Sequence, residues 1–100
     1  MRLRKEQDTM PEEEIMLIAN VSDALAHPAR INMFRYIMQA NRAMVTVCNK
    51  DLVEHFDYAQ ATVSQHIKKL VDSSLIEVKK VDRKELFLAS IVTHLWEIYI

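Results

Sequence analysis

Two stretches of apolar residues at helical spacing follow one another with only Asp57 and Tyr58 between them. Residues 50–56 form the shorter stretch, with Asn49 before it as a candidate N-cap, and residues 59–72 form the longer one. This arrangement predicts a short helix, a tight turn and a second helix. Their buried residues are predicted to be Leu52, Val53, Phe56, Val63, Ile67, Leu70 and Val71.

A β-hairpin is predicted directly after the second of these helices. Residues 75–80 and 85–89 alternate between apolar and polar side chains well enough for two strands, and Ser73-Ser74 ends the helix before them. Residues 81–84 link the strands, so that the hairpin has a charged tip.

A first helix is predicted over residues 11–26. Pro11 suits a first helical turn, and the three glutamates after it lie favourably at the positive end of the helix dipole. So much apolar surface in one helix of a small domain predicts packing against two partners. The apolar residues are Ile15, Met16, Leu17, Ile18, Ala19, Leu25 and Ala26.

His27-Pro28 separates the first helix from a second one, predicted over residues 29–40. Asn41 and Arg42 are expected to end it, and the β-branched residues 45–47 favour a short strand or an extended segment. Its inward residues are expected to be Ile31, Phe34, Ile37 and Met38.

The predicted elements, with a short terminal helix over residues 91–100, follow the order α-α-α-α-β-β-α. A helix-turn-helix followed by a two-stranded hairpin is the winged helix-turn-helix, a mostly α fold with a small β-hairpin (α+β). A chain of 100 residues is one domain. We expect an N-terminal tail over residues 1–10 and a DNA-binding and dimerisation domain over residues 11–100.

The solvent face of the longer helix carries side chains that suit duplex DNA, since glutamine can pair with adenine through two hydrogen bonds and lysine binds phosphate. The net charge is −1, but residues 60–84 hold six cations against three carboxylates, whereas residues 1–27 hold three against six. The candidate DNA-binding residues are Gln60, Thr62, Ser64, Gln65, His66, Lys68, Lys69, Arg83 and Lys84.

Two runs of the sequence resemble the ArsR-type winged-helix repressors. LAHPARINMFRYI resembles their signature LAHPxRLxIL, and DYAQATVSQHIKKLVDSSLIEVKKVDRKELFL resembles their recognition helix and wing, LSQSTVSxHLKxLxxAGLVxxxxxGRxxxYxL. The resemblance covers residues 12–96. It implies a homodimer with the first and last helices at the interface, recognition helices in successive major grooves, and wings on the flanking DNA backbone.

The sequence departs from this family pattern at three places. Ala59 replaces the usual capping serine, so the start of the recognition helix is expected to be less well capped. Ser73-Ser74 replaces Ala-Gly. Arg83-Lys84 takes the place of the Gly-Arg tip of the wing, and without glycine the turn is expected to be wider than that of the family.

The sensor sites of the family are not matched. Its Cys-x-Cys metal site corresponds to Cys48 followed by Lys50, whose charge would repel a cation, and the last helix offers only His94 and Glu97 as ligands. We expect no metal, no cofactor, and no small-molecule or metal inducer. Cys48, the single cysteine, is a candidate redox residue through an intersubunit disulfide, and its alternative role is a small buried hydrophobe.

The predicted function is sequence-specific binding of double-stranded DNA by a homodimeric transcriptional repressor on a palindromic operator. The alternative is a winged-helix protein-interaction module without DNA binding, which the net charge of −1 keeps open. An enzyme is not expected, because the chain has no glycine for phosphate-binding loops and no nucleophile–base signature. No membrane segment is predicted, and the cytoplasm is the expected compartment. The candidate dimer-interface residues are Ile15, Ile18, Leu95, Trp96 and Tyr99.

Overall fold

The structure, a computed structural model, describes residues 10–93. Its elements follow the predicted order, and residues 90–93 continue the chain as helix after the hairpin. The candidate interface residues Leu95, Trp96 and Tyr99 lie outside the described residues. None of the helices within residues 10–93 has the length and apolar character needed to cross a membrane. The elements are α1 (Glu12–Ala24), α2 (Pro28–Arg42), α3 (Asn49–Phe56), α4 (Gln60–Asp72), β1 (Ile76–Val81) and β2 (Lys84–Ala89).

A single core joins the helices to the base of the hairpin. α4 contributes Val63, Ile67 and Leu70 to it, all buried as the apolar spacing predicts. Val47 reaches the same core and pairs with Phe87 as an isolated β-bridge, so residues 45–47 are an extended segment rather than a full strand. The core therefore fixes the hairpin against the helix-turn-helix.

The inward face of α2 differs from the predicted one. Met33 and Ile37 are completely buried, whereas Ile31, predicted to be inward, keeps 47% of its surface exposed, so that prediction is wrong. Phe34 and Met38 are half-buried and pack against the rim of the core. The buried positions repeat every four residues from Ala29 to Asn41, and the Ile31 position lies outside that stripe.

Arg42 ends α2, as expected, and Asn41 is the next-to-last residue of the helix, where it is a buried polar residue, 2% exposed. Its amide nitrogen donates to the carbonyl oxygens of Val45 and Phe87 at 3.2 and 3.4 Å. Its amide oxygen accepts from the backbone N–H of Ala89 at 2.7 Å. One side chain thus satisfies backbone groups of β2 and of the α2–α3 connection, and it holds the hairpin to α2.

The hairpin turn is tighter than predicted. The strands pair up to Val81 and Lys84, which leaves Asp82 and Arg83 as a two-residue turn. Both have positive φ angles, 48° and 71°, as in the tight turns whose twist matches that of the flanking strands. The wider turn expected without glycine is therefore wrong. Aspartate tolerates this region, whereas Arg83 adopts it at a cost of about 1–2 kcal/mol.

The N-cap of α3 is Cys48 rather than Asn49, which is already helical. The carboxylate of Asp51 accepts hydrogen bonds from the Cys48 backbone N–H at 2.9 Å and from its Sγ at 3.3 Å. The bond from the Cys48 N–H to Asp51, at the third helical position, together with the contact of the Cys48 side chain with the Asp51 backbone, forms a capping box. The backbone hydrogen bond from Cys48 lowers the pKa of Asp51 below its usual value, aided by the charges of Lys84 and Lys50 and opposed by burial.

We expect Asp51→Ala to lower the free energy of unfolding by about 1 kcal/mol at neutral pH, because it removes the capping carboxylate. The pKa of Asp51 is lower in the folded protein than its ordinary value of 3.8. Its contribution to stability is therefore fully present above pH 3.8 and is lost as the pH falls through the pKa of the folded state. Urea unfolding at neutral pH and at about pH 3 measures the difference. Glu54→Ala, on the same helix, is the control. An equal loss at both pH values would contradict the prediction.

Candidate nucleic-acid interface

α4 is divided between a buried side and a polar, exposed side. Val63 and Leu70 are completely buried, whereas five of the seven predicted DNA-binding residues of this helix are exposed. Thr62 and His66 are half-buried. The five exposed residues are Gln60, Ser64, Gln65, Lys68 and Lys69. This side therefore offers amide, hydroxyl and ammonium groups to a surface that could approach α4.

The start of α4 and its contact with α3 set the position of that polar side. Ala59 caps the helix without a side-chain hydrogen bond, as expected from the missing serine. Asn49, in the first turn of α3, donates from its amide to the hydroxyl oxygen of Ser64 at 3.3 Å. Asp57, in the left-handed region at φ 55°, makes the turn between the two helices. Asn49, predicted as a cap, thus contacts the exposed side of α4 instead.

Both lysines of the exposed side have carboxylate partners. Lys68 Nζ lies 3.1 Å from Asp72 Oδ2, one turn further along α4. Lys69 Nζ lies 3.6 Å from Asp23 Oδ2, which belongs to α1. The pair between Lys69 and Asp23 therefore joins two helices that are far apart in the sequence.

His27 and His66 meet at the edge of the same surface, although their separation in the sequence gave no reason to pair them. Their ring centroids are 4.8 Å apart. His27 Nδ1 accepts a hydrogen bond from the backbone N–H of Ala29 at 3.1 Å and so caps α2, in the structural role expected of it. Burial lowers the pKa of His66, and the charges of His27 and Arg30 lower it further. His66 is accordingly neutral at physiological pH.

The hairpin lies beside the polar side of α4. An open groove between them is bordered by Ser64 and Lys68 on the helix and by Val78 and Glu85 on the hairpin. Within residues 10–93, the hairpin cations make no ion pair. These exposed cations are Lys79, Lys80, Arg83 and Lys84. The tip therefore carries positive charge that is free to meet an anion next to the helix.

Cys48 is half-buried, and its Sγ donates to Asp51 in the capping box. Its predicted redox role stays a prediction, and its thiol already has a structural contact. Over the described part of the chain, no three side chains of histidine, cysteine, aspartate or glutamate are grouped so that they could hold a metal ion.

A short helix, a tight turn, a second helix with an exposed polar side and a two-stranded hairpin beside it define a winged helix-turn-helix protein. Residues 25–79 match a family model described as a helix-turn-helix domain. The match covers more than half of the chain, so the protein belongs to this helix-turn-helix family.

Individual proteins are also similar to this chain, in sequence or in structure. The arsenical resistance operon repressor of Staphylococcus xylosus is 29% identical over 70 residues, which is 70% of this chain and 62% of that protein. The homodimeric winged helix-turn-helix DNA-binding domain from Mycobacterium bovis superposes with a TM-score of 0.71 at 15% identity, covering 99% of this chain and 86% of the other. The transcriptional repressor BigR from Xylella fastidiosa gives 0.62 at 18% identity and covers 98% of both chains. The Mycobacterium bovis and Xylella fastidiosa structures therefore have the same fold as this chain.

Proposed function

We propose that this protein is a transcriptional repressor that binds a palindromic operator in duplex DNA as a homodimer. The observation that carries the proposal is the exposed polar side of α4 directly beside a hairpin with unpaired cations. The similarity to an arsenical resistance operon repressor supports it. The activity is binding, without a catalysed reaction.

In this proposal α4 enters the major groove, which is wide enough to admit a helix. Gln65 and Ser64 are exposed and would meet base edges, while Lys68 and Lys69 would meet phosphates. Gln60 and Thr62, near the start of the helix, would contact bases or backbone at the end that enters first. His66 is neutral and half-buried, so it would add a hydrogen bond rather than a charge.

The hairpin serves as the wing in this proposal. Arg83 stands at its tip and Lys84 directly follows, both exposed. The bonds that Asn41 makes to β2 fix the base of the wing against α2. The wing would therefore rest on phosphates that flank the bases contacted by α4, adding affinity without sequence preference.

The homodimer is proposed from the apolar surface of α1. Ile15 and Ile18 keep 47% and 53% of their surfaces exposed, and the residues between them are exposed as well. Such a contiguous apolar surface marks a protein interface. A second copy would cover it symmetrically, and the related Mycobacterium bovis domain is described as homodimeric. Leu95, Trp96 and Tyr99 are proposed to complete the interface.

The proposed function is tested by fluorescence anisotropy with genomic fragments from around the gene of the protein and with a random-sequence duplex. We expect binding to both, tighter to one of the genomic fragments, whose half-sites lie about 10 bp apart or a multiple of that. A folded dimer that binds no duplex even at low salt would overturn the proposal and favour the protein-interaction module.

Gln65→Ala tests whether α4 reads bases. We expect binding to the operator to weaken by about 1–3 kcal/mol, roughly 5- to 150-fold, because a base contact is lost, while binding to random DNA barely changes. Gln39→Ala, at an exposed glutamine of α2, is the matched control and should alter neither affinity. Equal losses on both duplexes would instead assign Gln65 to the DNA backbone.

A further inference from the structure

Both lysines on the exposed side of α4 are engaged by carboxylates before any ligand arrives. Lys68 pairs with Asp72 at 3.1 Å, and Lys69 pairs with Asp23 at 3.6 Å. The lysine side chains are nevertheless 76% and 57% exposed, so an anion from solution can reach each ammonium group. Exposed pairs of this kind are weak and can be exchanged for a better partner.

The stability of the helices does not account for the two carboxylates. Asp23 lies in the last turn of α1, and Asp72 is the last residue of α4. Negative charge is unfavourable at a helix C-terminus, where the dipole is itself negative. In the pair within α4 the lysine precedes the aspartate, which is the weaker of the two orders. The feature that the two carboxylates share is their contact with a lysine of α4.

The surroundings of the lysines favour an anion. An open groove of about 440 Å³ beside α4 is lined by Arg30, Gln65, His66, Lys68, Lys69 and Asp72. Arg30 donates from Nε to the carbonyl of Ala24 at 2.6 Å and from Nη2 to the carbonyl of Asp23 at 3.1 Å. These bonds hold the end of α1 next to the groove, and so they keep the Asp23 side chain within reach of Lys69.

We propose that Asp23 and Asp72 stand in for DNA phosphates in the free protein, and that backbone phosphates displace them from Lys69 and Lys68 on binding. This inference rests on the proposed DNA-binding function and adds an intramolecular competitor to it. The competitor weakens binding to every sequence equally, because phosphate contacts carry no sequence information. Since Asp23 belongs to α1, the competition also connects the proposed dimer helix to the DNA-binding surface.

The experiment compares the full chain with Asp72→Asn, Asp23→Asn and the double variant by anisotropy, using a random-sequence duplex and the operator fragment. We expect each single variant to bind both duplexes roughly 2- to 30-fold more tightly, since a competing pair is removed in each of two protomers. The ratio of the two affinities should stay unchanged. Asparagine has nearly the same shape as aspartate, and circular dichroism with sedimentation checks the fold and the dimer.

Two controls separate displacement from general charge repulsion. Glu54→Gln removes an exposed carboxylate of α3 that makes no ion pair within the described residues, and it reports the general effect of one charge. Repeating Asp72→Asn in a Lys68→Met background, and Asp23→Asn in a Lys69→Met background, completes two double-mutant cycles. We expect the gain in affinity to shrink to the Glu54→Gln value when the partner lysine is absent.

The outcomes are distinct. Three results would overturn the inference: a gain in affinity no larger than that of Glu54→Gln, a gain that persists without the partner lysine, or a loss of affinity. In each case DNA binding by the wild-type protein would leave the proposed function standing. Absence of DNA binding by the folded wild-type dimer would overturn the proposed function and the inference together.

Discussion

Neutralising the tip of the wing is expected to lower the salt dependence of DNA binding while leaving sequence preference nearly unchanged. Arg83→Asn with Lys84→Gln removes four candidate phosphate contacts from a dimer. Each contact steepens the fall of log K with log salt by about 0.9, so the slope should decrease by about 3 to 4 if all four are made. Asparagine suits the positive φ of position 83, so the turn should survive. The measurement is anisotropy over a range of potassium chloride concentrations.

The matched control for the wing removes the same number of charges from α2. Arg35→Gln with Arg42→Gln alters two exposed cations outside the helix-turn-helix and the hairpin. We expect the salt slope of this variant to differ from that of the wild type by no more than the contribution of one phosphate contact per protomer, about 0.9 each. A wing variant with an unchanged slope, an intact fold and an intact dimer would show that the wing does not touch DNA.

Replacing Ile15 and Ile18 by glutamine is expected to convert a micromolar dimer into a monomer. Burying the exposed half of an isoleucine contributes about 1 kcal/mol, and a two-fold dimer contains four such side chains. The loss of roughly 4 kcal/mol weakens dimerisation about a thousandfold. Glutamine is a good helix former, so α1 itself should persist. Sedimentation equilibrium measures the change. The affinity for DNA should fall as well, since each protomer would then bind its half-site without a partner.

The control for dimerisation replaces two apolar residues that are exposed elsewhere. Met44→Gln with Val45→Gln changes the α2–α3 connection, where both side chains are at least as exposed as those of α1. We expect the dimer to be unaffected. A wild-type chain that sediments as a stable 11.7 kDa monomer at tens of micromolar would refute the proposed dimer.

Much of the fold could be predicted because its signals are local. Helical spacing identified α4 and its buried Val63, Ile67 and Leu70, and alternation identified the two strands to within one residue at each end. The missing cap at Ala59 was also predicted, because capping depends on one side chain and the backbone beside it. Local patterns failed at the turn, where strand twist imposed positive φ on Asp82 and Arg83 despite the absence of glycine.

By itself the sequence determined the order of the elements, the polar side of α4 and the basic hairpin, since periodicity and charge are written in consecutive residues. Only the tertiary structure decided which distant residues meet. It bonded Asn41 to β2, brought the rings of His27 and His66 into contact, and paired Lys69 with Asp23. The partners in each of these contacts are separated by about forty residues or more along the chain. Their meeting depends on how the helices pack around a shared core, and no local pattern encodes that packing.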